Sequence, residues 1–212
     1  MFNYPQYKEH DKEKVLEFMR QYPFVTLLGC DVKERIEATQ IPVLVEEKNG
    51  KIILSGHIAK KSDHEKTFQQ NPNVLALFAG PHTYISGTWY SSNPQQVSTW
   101  NYISIYARGQ IIFLDENTLI NHLKKLSLHF ENGNTASSTI YDNLPPEYLQ
   151  KLIKAIVAFE IEVSELENVF KLSQNRDEKS YDTIVEKLKQ QEGDAKEIGE
   201  LMEKRKSKVF KK

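Results

Sequence analysis

"RIEATQIPVLVEEKNGKIILSGH", Arg35–His57, is the stretch on which the fold turns. Its centre, Lys48-Asn49-Gly50-Lys51, sets Asn-Gly between two runs rich in Val, Ile and Leu. Asn-Gly readily takes the left-handed backbone of a two-residue turn, so these residues predict an antiparallel hairpin. Before it, the alternation through Ile36, Ala38 and Gln40 predicts strand; after it, "KIILSGH" is the return strand. Working outward, "FVTLLGCD" (Phe24–Asp31), "NVLALFAG" (Asn73–Gly80) and "IVAFEIEVSEL" (Ile156–Leu166) have strand length and composition. "TYISGTWY" (Thr83–Tyr90) continues extended until Gly87 breaks it. "VSTWNYISIYARGQIIFLD" (Val97–Asp115) predicts one long strand or two short ones, with a bulge at Gly109.

Helical spacing occurs elsewhere. Val15, Phe18 and Met19 mark a helix over Asp11–Gln21, stopped by Pro23. Asp115 has the character of an N-cap, and Leu119, Leu123, Leu126 and Phe130 carry a helix to about Glu131. "PPEYLQKLIKA" predicts a short helix with proline at its start. Tyr181–Lys206 predicts two helices punctuated by Glu192-Gly193-Asp194. Six or seven strands with hairpin connections and peripheral helices imply a mainly β protein built on an antiparallel β-barrel. A Rossmann fold is disfavoured, since G-x-G-x-x-G and regular strand–helix alternation are both missing.

The chain has 212 residues, 39% hydrophobic and 27% charged, enough for one sizeable packed domain or a domain with an appendage. With 28 basic and 29 acidic residues, its overall charge draws it neither to nucleic acid nor to a membrane. The exception is "EKRKSKVFKK" (Glu203–Lys212), expected as a frayed, solvated tail and the one place for a DNA contact. The single cysteine, Cys30, permits no intrachain disulfide and is expected as a small core residue. The first residues lack the basic-then-apolar order of a signal peptide, and no run approaches the length of a membrane span. The expectation is a cytoplasmic protein.

Nucleophile-elbow, zinc-protease, C-x-x-C and P-loop motifs are missing. His57/His64 and His122/His129 do not have the i, i+4 spacing of a helical metal pair, so no metal is expected. Two other features stand out. In "GHIAKKSDHE" (Gly56–Glu65), Lys60 and Lys61 precede a capping-box pattern, Ser62 to Glu65, that opens a short helix. Two ammonium groups before a helix start suit an anion, and two solvated loop lysines explain the pattern as well. In "GPHTYISGTWYSSNPQQVSTWNY" (Gly80–Tyr102), both tryptophans lie among Asn, Ser, Thr and His. That surface suits stacking on a flat ring; filling a barrel core explains it equally.

These motifs make the sequence recognisable. "YPFVTL" (Tyr22–Leu27), "GHIAKKS" (Gly56–Ser62), "GPHTYISGTWY" (Gly80–Tyr90), "TWNY" (Thr99–Tyr102) and "KLSQNR" (Lys171–Arg176) resemble, in order and spacing, the PaiB-like family of FMN-binding split-barrel proteins, often labelled negative transcriptional regulators. The resemblance covers nearly the whole chain. It implies an FMN-binding split barrel over residues 1–176, a C-terminal helical extension with a basic tail over 177–212, and a homodimer with FMN at its interface. It also implies that Ser55, Lys60 and Lys61 face the FMN phosphate and that Thr39, Gln40 and Ile41 meet the polar edge of the ring. His57, Trp100, Asn101, Gln174 and Arg176 would close the site. The family commonly has histidine where this chain has Gln40 and Tyr106, and asparagine is commoner than Ser62. Chemistry that needs those two histidines as acids or bases is therefore in doubt. Two functions are implied: a flavin-binding transcriptional regulator, or an FMN-dependent oxidoreductase acting on a small molecule. Haem handling, as in related barrels, lacks a histidine in a persuasive setting.

Overall fold

A computed structural model describes residues 4–91 and 96–210. In chain order the elements are α1 (Lys12–Gln21), β1 (Phe24–Cys30), β2 (Ile36–Pro42), β3 (Leu44–Lys48), β4 (Lys51–Ala59), α2 (Asp63–Gln70), β5 (Asn73–Ile85), β6 (Thr99–Phe113), α3 (Glu116–Phe130), α4 (Pro146–Ala155), β7 (Ile156–Lys171), α5 (Glu178–Lys189) and α6 (Asp194–Val209). The strands form one seven-stranded sheet in the order β2-β1-β5-β6-β7-β4-β3. The β1–β2, β1–β5, β3–β4 and β4–β7 pairs are antiparallel.

The Asn-Gly turn forms. Lys48 pairs with Lys51, and Asn49 and Gly50 between them have φ of 53° and 78°. Both values lie in the left-handed region that a type I′ turn requires. The stretch before the turn, which reads as one run, divides into β2 and β3 at Val43. Pro42 has no N–H for a ladder, and Val43 gives its own N–H to the Pro23 carbonyl at 2.9 Å. β2 and β3 stand at opposite ends of the strand order, yet one residue separates them in the chain. The sheet must therefore curl until its two edges approach each other, which is how a split barrel closes.

β6 takes the single-long-strand alternative and runs through Gly109, where a Cβ would lie 2.2 Å from the Glu162 carbonyl oxygen. Close approach of β7 accounts for this glycine. β7 itself runs five residues past Leu166, to Lys171.

The chain forms two compact units. The barrel unit comprises Leu16–Phe78 and Tyr106–Leu166. Leu27, Leu54, Phe78, Phe159 and Ile161 are fully buried in it, each side chain contributing about 1.5–3 kcal/mol. α3 and α4 share a smaller apolar cluster with β7, made by Leu119, Leu123, Ile153 and Ala158. Cys30 is only half-buried, its sulfur accepting a hydrogen bond from Asn71 Nδ2 at 3.4 Å, so it is not the core residue its apolar neighbours suggest.

The terminal unit comprises residues 1–15, Ala79–Ile105 and Glu167–Lys212. α5 and α6 pack through Tyr181, Ile184, Leu188, Ile198 and Met202, all fully buried, and the Tyr181 hydroxyl donates to the Met202 carbonyl at 2.8 Å. The basic tail is not a frayed segment: α6 continues to Val209. Arg205 and Lys208 each stand 2.6 Å from a carboxylate oxygen of Glu9, whose side chain is fully buried. Lys206 pairs with Asp182 at 2.6 Å and Glu178 at 3.3 Å. Lys211 and Lys212, which the tail reading included, lie outside the described residues.

Candidate functional site

The residues singled out by the motifs fall in both units. Thr39, Gln40, Ile41, Ser55, His57, Lys60 and Lys61 belong to the barrel unit, and Trp100, Asn101, Gln174 and Arg176 to the terminal unit.

β2 is an end strand, so it has a strand neighbour, β1, on one side only. Gln40 pairs with Thr26, Thr39 with Leu27 and Ile41 with Val25. Ile36, Ala38 and Gln40 are exposed, while Thr39 is half-buried and Ile41 buried. This is the period-two alternation of a half-covered strand. Leu28 lies beside Ala38 and Leu75, and Leu75 and Leu77 of β5 are also half-exposed. An apolar, partly exposed sheet face therefore surrounds the Gln40 amide.

Ser55 and His57 are two residues apart on β4 and so share a face of that strand. Ser55 is buried; His57 is half-buried, with its Nδ1 3.4 Å from Nε2 of His122 on α3. The pair is 65 positions apart in sequence, and no local pattern pointed to it. Burial holds the His57 ring below the usual histidine pKa. Burial first, then the neighbouring His57 and Lys125, push His122 down to about 4. Both rings are neutral near pH 7, and their contact admits at most one proton comfortably.

The turn between β4 and α2 carries the two lysines. Lys60 is tied to the last turn of α4: its N–H donates to the Ala155 carbonyl at 2.9 Å and its ammonium to the Ile153 carbonyl at 3.3 Å. That contact is the favourable placement of a cation at a helix C-terminus. Lys61 is exposed and has a left-handed φ of 64°. The expected capping pattern is present in part. Ser62 Oγ accepts from the Glu65 N–H at 3.2 Å, while the Glu65 carboxylate takes the N–H of Lys61. An internal carboxylate thus occupies one donor that an incoming anion would use.

In the terminal unit the motif residues are bound into the framework. Asn101 is fully buried, accepting from Ser173 Oγ at 3.1 Å and donating to Met202 Sδ at 3.5 Å. Gln174 closes its own turn, accepting from the Leu172 N–H at 2.6 Å and donating to the Phe170 carbonyl. Arg176 donates to Gln96 and lies over the Tyr90 ring, 4.1 Å from its centroid. Trp100 is exposed, with Tyr84 at 6.1 Å and His82 at 6.2 Å between ring centroids. The aromatic stretch is thus divided between uses: Tyr90 is buried and Trp100 is offered to the surface. Its Ser92–Gln95 portion lies outside the described residues.

Comparison with known proteins places this geometry in a class. A family model described as "Putative FMN-binding domain" matches residues 1–165. The chain belongs to this FMN-binding split-barrel family, in its PaiB-like branch. It is 32% identical over 198 residues to Protease synthase and sporulation protein PAI 2 of Bacillus subtilis, covering 93% of this chain and 94% of the relative. Among solved structures, a conserved hypothetical protein from Mycobacterium tuberculosis matches with a TM-score of 0.57 at 12% identity, covering 81% of this chain and 91% of that one. An FAD and heme binding protein from Mycobacterium smegmatis matches with a TM-score of 0.56 at 13% identity, over 77% and 72% of the two chains. At such identities the two structures speak for the fold alone. Among the described residues, no helix is long and apolar enough to cross a membrane.

Proposed function

We propose that this chain is an FMN-binding, cytoplasmic regulatory protein of the PaiB-like type that works as a homodimer. The observation that carries the reading is the Lys60-Lys61-Ser62 turn on the barrel unit, where a strand end, two cations and a helix start occur together. A phosphate dianion finds there charge-assisted donors from Lys61 and Lys60, with Ser55 further back on β4. The flavin ring lies along β2, where one side of the strand has no strand neighbour and Gln40 offers an amide among apolar residues. Thr39 and Ile41 supply backbone groups to the polar edge of the ring. Bound FMN would supply any redox chemistry; the protein positions it and sets its surroundings.

By the family resemblance Trp100, Asn101, Gln174 and Arg176 also close the site, some of them from the second subunit; within the terminal unit Asn101 and Gln174 are held by framework hydrogen bonds. His57, on the same face of β4 as Ser55, has one ring nitrogen turned to His122 and completes this group of residues. A second subunit covers the apolar face around Ala38, Leu28 and Leu77, a surface costly to leave in water. Direct DNA reading is not favoured, because Arg205, Lys206 and Lys208 already have carboxylate partners. Regulation would then pass through the flavin or a partner protein. With Gln40 and Tyr106 in place of histidines, the oxidoreductase reading loses two acid–base groups; rapid bleaching of bound flavin by NADH or NADPH would restore it.

The test compares FMN with riboflavin. Lys61→Ala removes a charge-assisted phosphate contact worth roughly 1.5–3 kcal/mol, so FMN affinity falls about ten- to a hundredfold while riboflavin affinity holds. Equal losses for both ligands would remove the lysine from the phosphate site.

A further inference from the structure

A second cavity on the barrel unit has a different chemistry. α3, the loop after it and α4 line an open hollow of about 310 Å³, with His57, Leu126 and Leu152 among its walls. Phe130 and Tyr148 stand at this cavity 47% and 54% exposed, unusual for side chains of their size. No lysine or arginine lines it; its one ionised group is Glu131, whose carboxylate accepts from Thr139 Oγ1 at 2.8 Å. An anion entering here would meet a carboxylate and a neutral imidazole, so neither a flavin phosphate nor an organic acid suits it. His57 Nδ1 is 3.4 Å from His122 Nε2, which orients the His57 ring; among the other polar side chains at the cavity, Ser127, Glu131 and Thr139 are already engaged, Ser127 with the backbone and Thr139 with Glu131. The volume is at the small end of ligand cavities, about 300–1,000 Å³, and fits one two-ring molecule.

We propose that this cavity binds a neutral, planar aromatic molecule of one or two rings carrying a hydrogen-bonding group that meets His57. The rings lie between the aliphatic walls and the exposed faces of Phe130 and Tyr148. Such a site shares His57 with the flavin reading but does not require bound FMN.

The test is calorimetric titration of the full chain, with and without FMN, using 2-naphthol and 2-naphthoate as probes of equal ring size and different charge. 2-Naphthol is expected to saturate one site per chain, and 2-naphthoate to bind at least about tenfold more weakly. Leu126→Trp fills the cavity and should weaken 2-naphthol about tenfold or more; Leu152→Trp fills it from another wall and serves if the first variant does not fold. His57→Leu should abolish the preference for 2-naphthol over naphthalene while naphthalene binding persists. Unchanged 2-naphthol affinity in a folded, filled variant, equal affinity for the naphthoate, or no saturable binding would overturn the proposal.

Discussion

Two clusters of positive charge invite comparison: Lys60-Lys61 in the barrel unit and Arg205–Lys208 in the terminal unit. By sequence the second is the stronger, with three basic residues in four inside a run, Glu203–Lys212, that has six in ten. In the folded chain it is the better neutralised. Glu9, fully buried, holds Arg205 and Lys208, and Glu178 and Asp182 hold Lys206. Lys61, by contrast, projects from a left-handed turn into solvent. A charge run therefore indicates a ligand only where the fold has not already supplied the counter-charge.

The largest effect that could break this comparison lies at Glu9. Glu9→Gln keeps the shape but leaves Arg205, whose side chain is only 17% exposed, without its counter-charge. Removing one partner of a buried pair costs about 3 kcal/mol or more. Chemical denaturation should show that loss for Glu9→Gln and almost none for Lys61→Ala. Similar small shifts in both would mean that the terminal cations are as loosely held as the lysine turn.

Acid separates the regions further. Burial raises the Glu9 pKa, but hydrogen bonds from Lys208, the Asp11 N–H and Arg205 outweigh it and hold the group at about 2, against an ordinary 4.5. A depressed carboxylate stabilises the fold fully above its unfolded pKa, so this contribution is lost as pH falls from 4.5 toward 2. The His57–His122 pair titrates earlier. Rings held neutral by burial favour the fold above 6.5, and His122 loses that contribution as pH falls toward about 4. Stability measured against pH should therefore fall in two stages. His122→Asn should flatten the upper one and Glu9→Gln the lower; a single stage insensitive to either variant would contradict these environments.

The smallest effect concerns Glu65, whose carboxylate takes the Lys61 N–H. If a phosphate uses that donor, Glu65→Gln removes a competing anion and should tighten FMN a few-fold, about 0.5–1 kcal/mol, with riboflavin unaffected. Weaker FMN binding would show that the Glu65 cap is needed to hold the turn in its binding shape.

How far the sequence reached follows from the range of each interaction. Asn49-Gly50 made the β3–β4 hairpin legible, because left-handed backbone is a property of those two residues. Ser62 and Asp115 announced α2 and α3, since a cap satisfies an N–H three positions away. The alternation at Ile36, Ala38 and Gln40 gave the exposed face of β2. Family motifs carried the flavin expectation, which composition and periodicity alone left open.

Other features depended on residues far apart in the chain. The break at Val43 sends β2 and β3 to opposite ends of the strand order, a consequence of closing the sheet that local alternation does not encode. Lys60 meets α4 across 93 positions, His57 meets His122 across 65, and Glu9 meets Lys208 across 199. The sequence by itself determined the strands, the turn, the caps and the presence of each cation. Only the tertiary structure decided which cations were already paired with carboxylates, the buried Glu9 above all, because burial and counter-charge arise when distant segments pack together.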